Sequence, residues 1–301
     1  MRINTNISAM QANSSMAKNS ALAGNSMEKL STGLAINKAG DNAAGLAISE
    51  KMRAQIRGME QADKNVQDGI SLVQTAEGAL AEAGDIVQRM RELGVQAGNS
   101  TLNDADRANI EAEVNQLGEE LMKISHETKF NDKQIFGDGV EFTIQAGANN
   151  ETRTIKSVDL KKLFTEEIQT GKKDSTGTEI TGSFLGTDAD IDADSGEVTK
   201  VEISLADEAE SQAFVAITNS VLEEITTARA TLGAQQNRLE ATSSNLSTSV
   251  ENLTSAESRI RDTDVAKEIV KLSKLNLLTQ TSQSMVAQAK SQPENIMSLL
   301  R

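Results

Sequence analysis

From Met52, every seventh residue is apolar through Met59, Val66, Val73, Leu80 and Val87, until Gly94 breaks the series. The interleaved positions Ile56, Asp63, Ile70, Glu77, Gly84 and Arg91 are apolar only twice. A seven-residue repeat this long predicts a coiled-coil helix with one strong seam position and one compromised one. At about 1.5 Å per residue, a helix from Gly45 to Gly98 reaches roughly 80 Å, wider than a globular core. A matching series, Ile225, Leu232, Leu239, Leu246, Leu253 and Ile260, lies far along the chain, with Ala228, Gln235, Thr242, Ser249 and Ala256 between its members. Two seams of similar length, one toward each end, predict an antiparallel pair in which the chain goes out and returns. A shorter stripe, Ile110, Val114, Leu117, Leu121 and Ile124, follows "GNSTLNDAD". There Gly98 is suited to stop one helix, and Asn103 or Asp104 to cap the next.

The chain ends repeat the theme without an internal partner. "MRINTNISAMQANSSMAKNSALAG" carries Ile3, Ile7, Met10, Met16 and Leu22 with little charge, and the C-terminal segment carries Leu272, Leu278, Met285, Leu299 and Leu300. Most termini are polar and frayed. Helices of about 30 residues with such stripes cannot bury them alone, so the pattern predicts burial against other copies of the chain. The middle differs in kind. From Phe130 to Val201 the text turns to Gly, Thr and Asp with short alternating runs, and Val140, Phe142 and Ile144 read as a strand, with "VTKVEISL" as another. Residues 140–210 hold 16 acidic and 7 basic side chains, so −9 of the net charge sits in what reads as a solvent-facing insertion.

Composition narrows the function. With 30 Lys+Arg against 44 Asp+Glu the net charge is −14, which argues against non-specific nucleic-acid binding and against an anionic membrane surface. Six Phe and no Tyr or Trp point to narrow layers of Leu, Ile, Val, Met and Ala rather than a ring-filled core. The absence of Cys removes any disulfide framework or thiolate metal site. A single proline, Pro293, leaves long helices permitted. No apolar run approaches the roughly 18–20 residues needed to span a bilayer, and no basic-then-apolar leader opens the sequence.

Candidate chemistry is thin. "DADIDADSGE" resembles a calcium loop, but aligned from Asp190 the required glycine is Ser195 and the final glutamate is Val201. "GDNAAGL" has phosphate-loop spacing, but Leu46 and Ala47 replace the phosphate- and magnesium-contacting residues, so it reads as a turn into the long helix. His126 is the only histidine, and no nucleophile–base pair can be assembled around it. These features predict no enzyme, no cofactor and no metal.

The ends carry a more specific signal. "MEKLSTGLAINKAGDNAAGLAISEKMRAQIRG", "QDGISLVQTAEGAL" and "VQRMRELGVQAGN" resemble bacterial flagellin, as do "LGAQQNRLEATSSNLSTSVENLTSAESRIRDTDVAKE" and the closing "SQPENIMSLLR". The resemblance covers residues 1–136 and 212–301 in the family's order. It implies a mainly α fold, a long antiparallel coiled-coil rod built from the N- and C-terminal segments, with a small β-containing variable insertion. The implied parts are an inner terminal layer of 1–43 with 266–301, an outer helical layer of 44–139 with 208–265, and a surface region of 140–207.

The same resemblance implies a secreted subunit of the extracellular flagellar filament, exported by the flagellar type III system and forming an open helical homopolymer. Its implied partners are copies of itself, an export chaperone, hook-associated junction and cap proteins, a flagellin-sensing Toll-like receptor and a cytosolic inflammasome sensor, with no nucleic acid and no membrane. Arg89 and Leu93 in "QRMREL" and Glu120 in "LGEELMKIS" match the receptor's segment, although Gly94 and Gly118 depart from the bulkier residues expected beside them. Leu299 and Leu300 fall where the cytosolic sensor reads. Assembly would use Ile3, Ile7, Met10, Leu22, Leu272, Leu278, Met285, Leu299 and Leu300. A hook–filament junction protein shares flagellin-like ends, but the unbroken "AESRIRDTDVAKE" and "SLLR" favour the major subunit. A signalling coiled coil accounts for the heptads but not for apolar termini.

Overall fold

The structure is a computed structural model that describes residues 6–137, 139–165, 167–173, 179–183, 185, 203, 205 and 208–299. For 161–162, 165, 167–173, 179–183 and 292–299 it describes the backbone only. Ile3 and Leu300, the side chain of Leu299, the acidic run 188–197 and most of "VTKVEISL" therefore lie outside the described residues. The fold is mainly α, with short two-stranded hairpins. It divides into two compact units, Met1–Arg57 with Ser249–Arg301, and Gly58–Thr248. That division falls inside the long helices α2 (Ala43–Ala97) and α5 (Glu208–Arg261).

In the unit of Gly58–Thr248, α2 buries Ala62, Val66, Gly69, Val73, Ala76, Leu80, Ala83, Val87, Met90, Gly94 and Ala97. The spacing alternates four and three, as a coiled-coil seam requires. The strong series Val66, Val73, Leu80 and Val87 is as expected, and Met59 packs against its end partly buried. The companion series is not the expected one. It lies one residue earlier, at Ala62, Gly69, Ala76, Ala83, Met90 and Ala97, mostly small residues that let a facing helix approach closely. Asp63 and Glu77 sit beside the seam and meet polar groups of α5. The Ser243 hydroxyl donates to Asp63 at 2.5 Å, and Arg229 lies 3.8 Å from Glu77.

Helix α5 answers with Phe214, Ile217, Val221, Ile225, Ala228, Leu232, Leu239 and Leu246, all buried. Gly94 faces Phe214, Gly84 faces Ile225 and Gly69 faces Leu239, so the two helices run antiparallel. A third helix, α3 (Asp104–Glu127), begins in a capping box in which Asn103 and Asp106 satisfy each other's backbone N–H. Its Ile110, Val114, Leu121 and Met122 join the same core. Gly94, where the heptad series broke, has a packing reason. A Cβ there would stand 2.8 Å from the Phe214 ring and 3.1 Å from Val215. Gly94→Leu is expected to lower the stability of this unit by about 1–3 kcal/mol through overpacking, measured as an earlier thermal loss of helix signal.

The insertion folds as hairpins. β1 (Lys129–Phe130) and β2 (Lys133–Gln134) are joined by Asn131 and Asp132, both at positive φ (49° and 62°), the backbone of a tight I′-type turn. β3 (Glu141–Gln145) pairs antiparallel with β4 (Thr152–Lys156), Phe142 opposite Ile155, as the alternation of Val140, Phe142 and Ile144 predicts. Ile144 of this hairpin lies over Gly69 of α2, and Asn65 donates to the Gln145 carbonyl at 3.2 Å. Beyond it come the short helix α4 (Leu160–Thr165) and a third hairpin, β5 (Glu167–Lys173) with β6 (Glu179–Ser183). Ile203 and Leu205 are buried, and their N–H groups donate to Asn115 and Glu111 of α3 at 2.9 and 3.3 Å.

Candidate functional site

In the unit of Met1–Arg57 with Ser249–Arg301, two helices made from the chain ends lie side by side: α1 (Ile7–Thr32) and α6 (Val265–Leu299). Each starts on a side-chain cap. Asn6 accepts from the Ala9 N–H at 3.0 Å, and Asp264 accepts from the Lys267 N–H at 3.2 Å. α1 stops on Gly33, whose positive φ of 73° lets its N–H return to the Lys29 carbonyl. Past each helix end the two connecting segments are stitched together. Leu34 bridges Asp262, the Ala35 N–H donates to the Arg261 carbonyl at 2.7 Å, and the Thr263 N–H donates to Gly33 at 2.9 Å. The "GDNAAGL" stretch is the turn its sequence suggested: Asn42 accepts from the Gly45 N–H, and α2 follows.

The seam between α1 and α6 has heptad spacing on both sides. Ala9, Ala12, Met16, Asn19, Ala23, Ser26 and Leu30 form a heptad-spaced row of partly or fully buried positions on α1. The matching row on α6 is Glu268, Leu272, Leu275, Thr279, Ser282, Val286 and Ala289. The residues are mostly small or polar, so the pair meets through a narrow face, and Asn6 also donates to the Ala289 carbonyl at 2.6 Å. Outside the seam, large apolar side chains stand among polar ones. Ile7, Met10, Leu22, Leu278 and Met285, all expected at an assembly surface, are exposed, Met10 at 66% and Met285 at 60%. Leu272 departs from that expectation: it is partly buried in the seam beside Leu275.

Sequence reading missed Met27, Val265, Ile269, Val270 and Leu277, exposed on the same pair. The run "VAKEIVKLSKLNLL" held the signal, because its apolar residues fall all round the helix and no single face can bury them. Leu278 and Met285, with Ala12, Ser15 and Ser282, line a shallow groove between the helices.

Ion pairs fix this unit at its stitched end. Arg261 is buried with its guanidinium on Glu50, and Arg53 meets Glu257 at 2.8 Å. The Arg261 hydrogen bond holds the Glu50 carboxyl below the usual carboxylate range. Glu268 is lowered too, first by the neighbouring Ser26 hydroxyl, although the two do not meet in hydrogen-bond geometry, and then by Lys271 at 3.1 Å. Asp41 is lowered by the N–H groups of Lys38 and Asn37, and Asp264 by the N–H of Lys267. All four fall below their unfolded values, so each contributes stability that is present above the unfolded pKa and lost as pH drops through the folded one. The unit is therefore expected to melt at progressively lower temperature as pH falls below about 4, read by circular dichroism. Glu268→Gln should flatten that dependence.

The remaining sequence-selected residues sit in two places. Val66, Val73, Leu80, Ile225, Leu232, Leu239 and Leu246 are core, while Leu253 and Ile260 are partly buried. Arg89 is exposed on α2, paired with Glu113 at 2.9 Å and Glu92 at 3.3 Å, and Glu120 is exposed on α3. Leu93, the other residue of that matched segment, is buried. At 2% exposure it faces the core with Met90, because it falls on the buried face of α2. Among the described residues no group of three or more His, Asp or Glu is placed to hold a metal, and no helix is long and apolar enough to cross a membrane.

Comparison with known proteins bears on the whole chain. Residues 3–140 match the model of the bacterial flagellin N-terminal helical region, and residues 215–300 that of the C-terminal helical region. The chain is 45% identical over 307 residues to a flagellin of Bacillus subtilis (strain 168), covering all of both chains. To a flagellin of Halalkalibacterium halodurans it is 44% identical over 302 residues, again over the full length of each. It is 39% identical over 300 residues to a flagellar filament core protein of Treponema maltophilum, with both chains fully covered.

Proposed function

The chain belongs to the bacterial flagellin family, and from that membership we infer a structural subunit, not an enzyme, that polymerises with its own copies into the flagellar filament used for motility. The observation that carries the reading is the set of large apolar side chains exposed on the outside of the α1–α6 pair, from Ile7 and Met10 to Leu278 and Met285. A single chain leaves that surface in water, where burial of each large side chain is worth roughly 1.5–3 kcal/mol. Copies must dock one patch onto a different patch, since only heterologous contacts give an open helical polymer.

In this reading 1–43 with 266–301 form the inner layer of the filament, 44–139 with 208–265 the outer helical layer, and 140–207 the outward surface. Ile3, Leu299 and Leu300 extend the inner contacts. The terminal helices gain their full order only when neighbours surround them, and apolar burial then outweighs an ordering cost of roughly 1–2 kcal/mol per residue. The subunit leaves the cell through the flagellar type III system with an export chaperone over its C-terminal helix. It works outside the cell between junction and cap proteins. Host sensing uses the same surfaces: a Toll-like receptor meets Arg89 and Glu120, while Leu93 acts from beneath by holding α2 in place, and a cytosolic sensor meets Leu299 and Leu300.

Electron microscopy of the purified chain under polymerising conditions tests the core of this reading. Filaments are expected, together with a rise in helix content on assembly. Compact particles would overturn the homopolymer, and equal helix content before and after would overturn the ordering step.

A further inference from the structure

Resting on the reading of the terminal helices as surfaces covered by copies of the chain, we propose that Met10, Met27 and Met285 are sites of sulfur oxidation that take the free subunit out of polymerisation. The chain has ten methionines and no cysteine, so the thioether is its only readily oxidised sulfur. Among the described side chains the methionines are sorted by position. Met10, Met27 and Met285 are 66%, 57% and 60% exposed, all on α1 or α6. Met90 and Met122 are 0% exposed in the core of the other unit, and Met16, Met52 and Met59 are partly buried. None of the three exposed sites lies in the α1–α6 seam. Modifying them leaves the internal packing of the pair untouched and changes only the face that a neighbour must cover.

The oxidant is a peroxide, with hydrogen peroxide as the simplest case. The thioether sulfur attacks one peroxide oxygen, the O–O bond breaks, an S–O bond forms and the other oxygen leaves as water. Sulfur loses two electrons, and a dithiol reductase returns the sulfoxide to the thioether as the dithiol becomes a disulfide and the oxygen leaves with its two protons as water. The sulfoxide is a polar hydrogen-bond acceptor on a formerly apolar side chain. Placed in a packed subunit contact it has no donor to meet, so the contact is penalised as a buried unsatisfied polar group. Met10 lies near the start of α1 and Met27 near its end, so the damage reaches contacts along the whole helix.

The experiment exposes full-length subunits and preformed filaments to dilute hydrogen peroxide and maps oxygen uptake by peptide mass spectrometry. In free subunits Met10, Met27 and Met285 are expected to react before Met90 and Met122, and in filaments they should be protected. Oxidised subunits should fail to elongate filament seeds and recover after treatment with methionine sulfoxide reductase. The triple variant M10L/M27L/M285L keeps apolar side chains and should elongate seeds after the same peroxide treatment. Equal oxidation of the three sites in subunits and filaments would overturn the proposal, as would full elongation by wild-type subunits oxidised at all three. That mapping decides even if the triple variant does not assemble. Untreated wild-type subunits that form no filaments would instead overturn the homopolymer itself, a failure the untreated control reveals separately.

Discussion

Subunits carrying Leu278→Lys are expected to stay folded and to form no filaments. Leu278 stands 40% exposed at the groove between α1 and α6, outside the seam that joins them. An ammonium on a long stem at that position stays in water in the single chain, so helix content and melting temperature should change little. In a filament the same group is buried against a neighbour. Lost apolar burial contributes about 1 kcal/mol, and the desolvated charge adds several more when no carboxylate meets it. A total of about 4 kcal/mol raises the concentration needed for growth roughly a thousandfold, beyond what a purified preparation reaches. Sedimentation of polymer from seeded mixtures measures it. The contrasting variant is Leu275→Lys, whose side chain is buried in the seam; it should lower the melting temperature of the subunit itself. If Leu278→Lys subunits elongate seeds like the wild type, the outer face is not the assembly surface.

The contrast between Leu278 and Leu275 also marks what the sequence alone could deliver. Apolar residues at the ends were visible as a density, and Ile7, Met10, Leu22, Leu278 and Met285 are indeed exposed. Which leucine turns inward was not visible, because α6 is apolar around its whole circumference and periodicity there has no preferred face. Leu272 was misplaced for that reason. The small seam residues of α1, Ala9, Ala12, Ala23 and Ser26, gave no warning, since a pattern search weights large side chains and these helices meet through little ones. The burial of Leu93 was hidden for a different reason. The residue was selected by likeness of a motif, and a motif does not say which residues of a helix face solvent. Strand β3 was legible because strict alternation survives in a two-stranded element, while its partner β4 was not read as a strand. The seat of β3 on Gly69 was not legible either, since only the tertiary contact gives that glycine a reason.

The companion seam of α2 is the sharpest of these differences, and neighbouring substitutions at Ala83 and Gly84 test it with opposite signs. A heptad fixes the strong position but leaves two offsets for its companion, three residues on or four. Large side chains drew the sequence reading to the second, which contains Gly84. The structure uses the first, which contains Ala83, 0% exposed between Leu80 and Val87. Ala83→Leu forces extra methylenes where the helices approach closely, and about 1–3 kcal/mol of destabilisation is expected. Gly84→Ala adds a Cβ whose nearest neighbour is Ile225 at 3.8 Å, an ordinary contact, and replaces a flexible helix residue. It should stabilise by about 0.5–1 kcal/mol. Leu80→Ala sets the upper end of the scale. Its side chain is fully buried and narrow helix layers have little slack to refill the void, so about 2–5 kcal/mol is lost. Exposed Glu82→Ala should stay within about 0.5 kcal/mol of the wild type. Urea melts of the four variants read the order directly. Were Gly84→Ala the damaging change and Ala83→Leu the silent one, the helices would be meeting on the other offset, and the close approach through Ala62, Ala76 and Ala83 would be wrong.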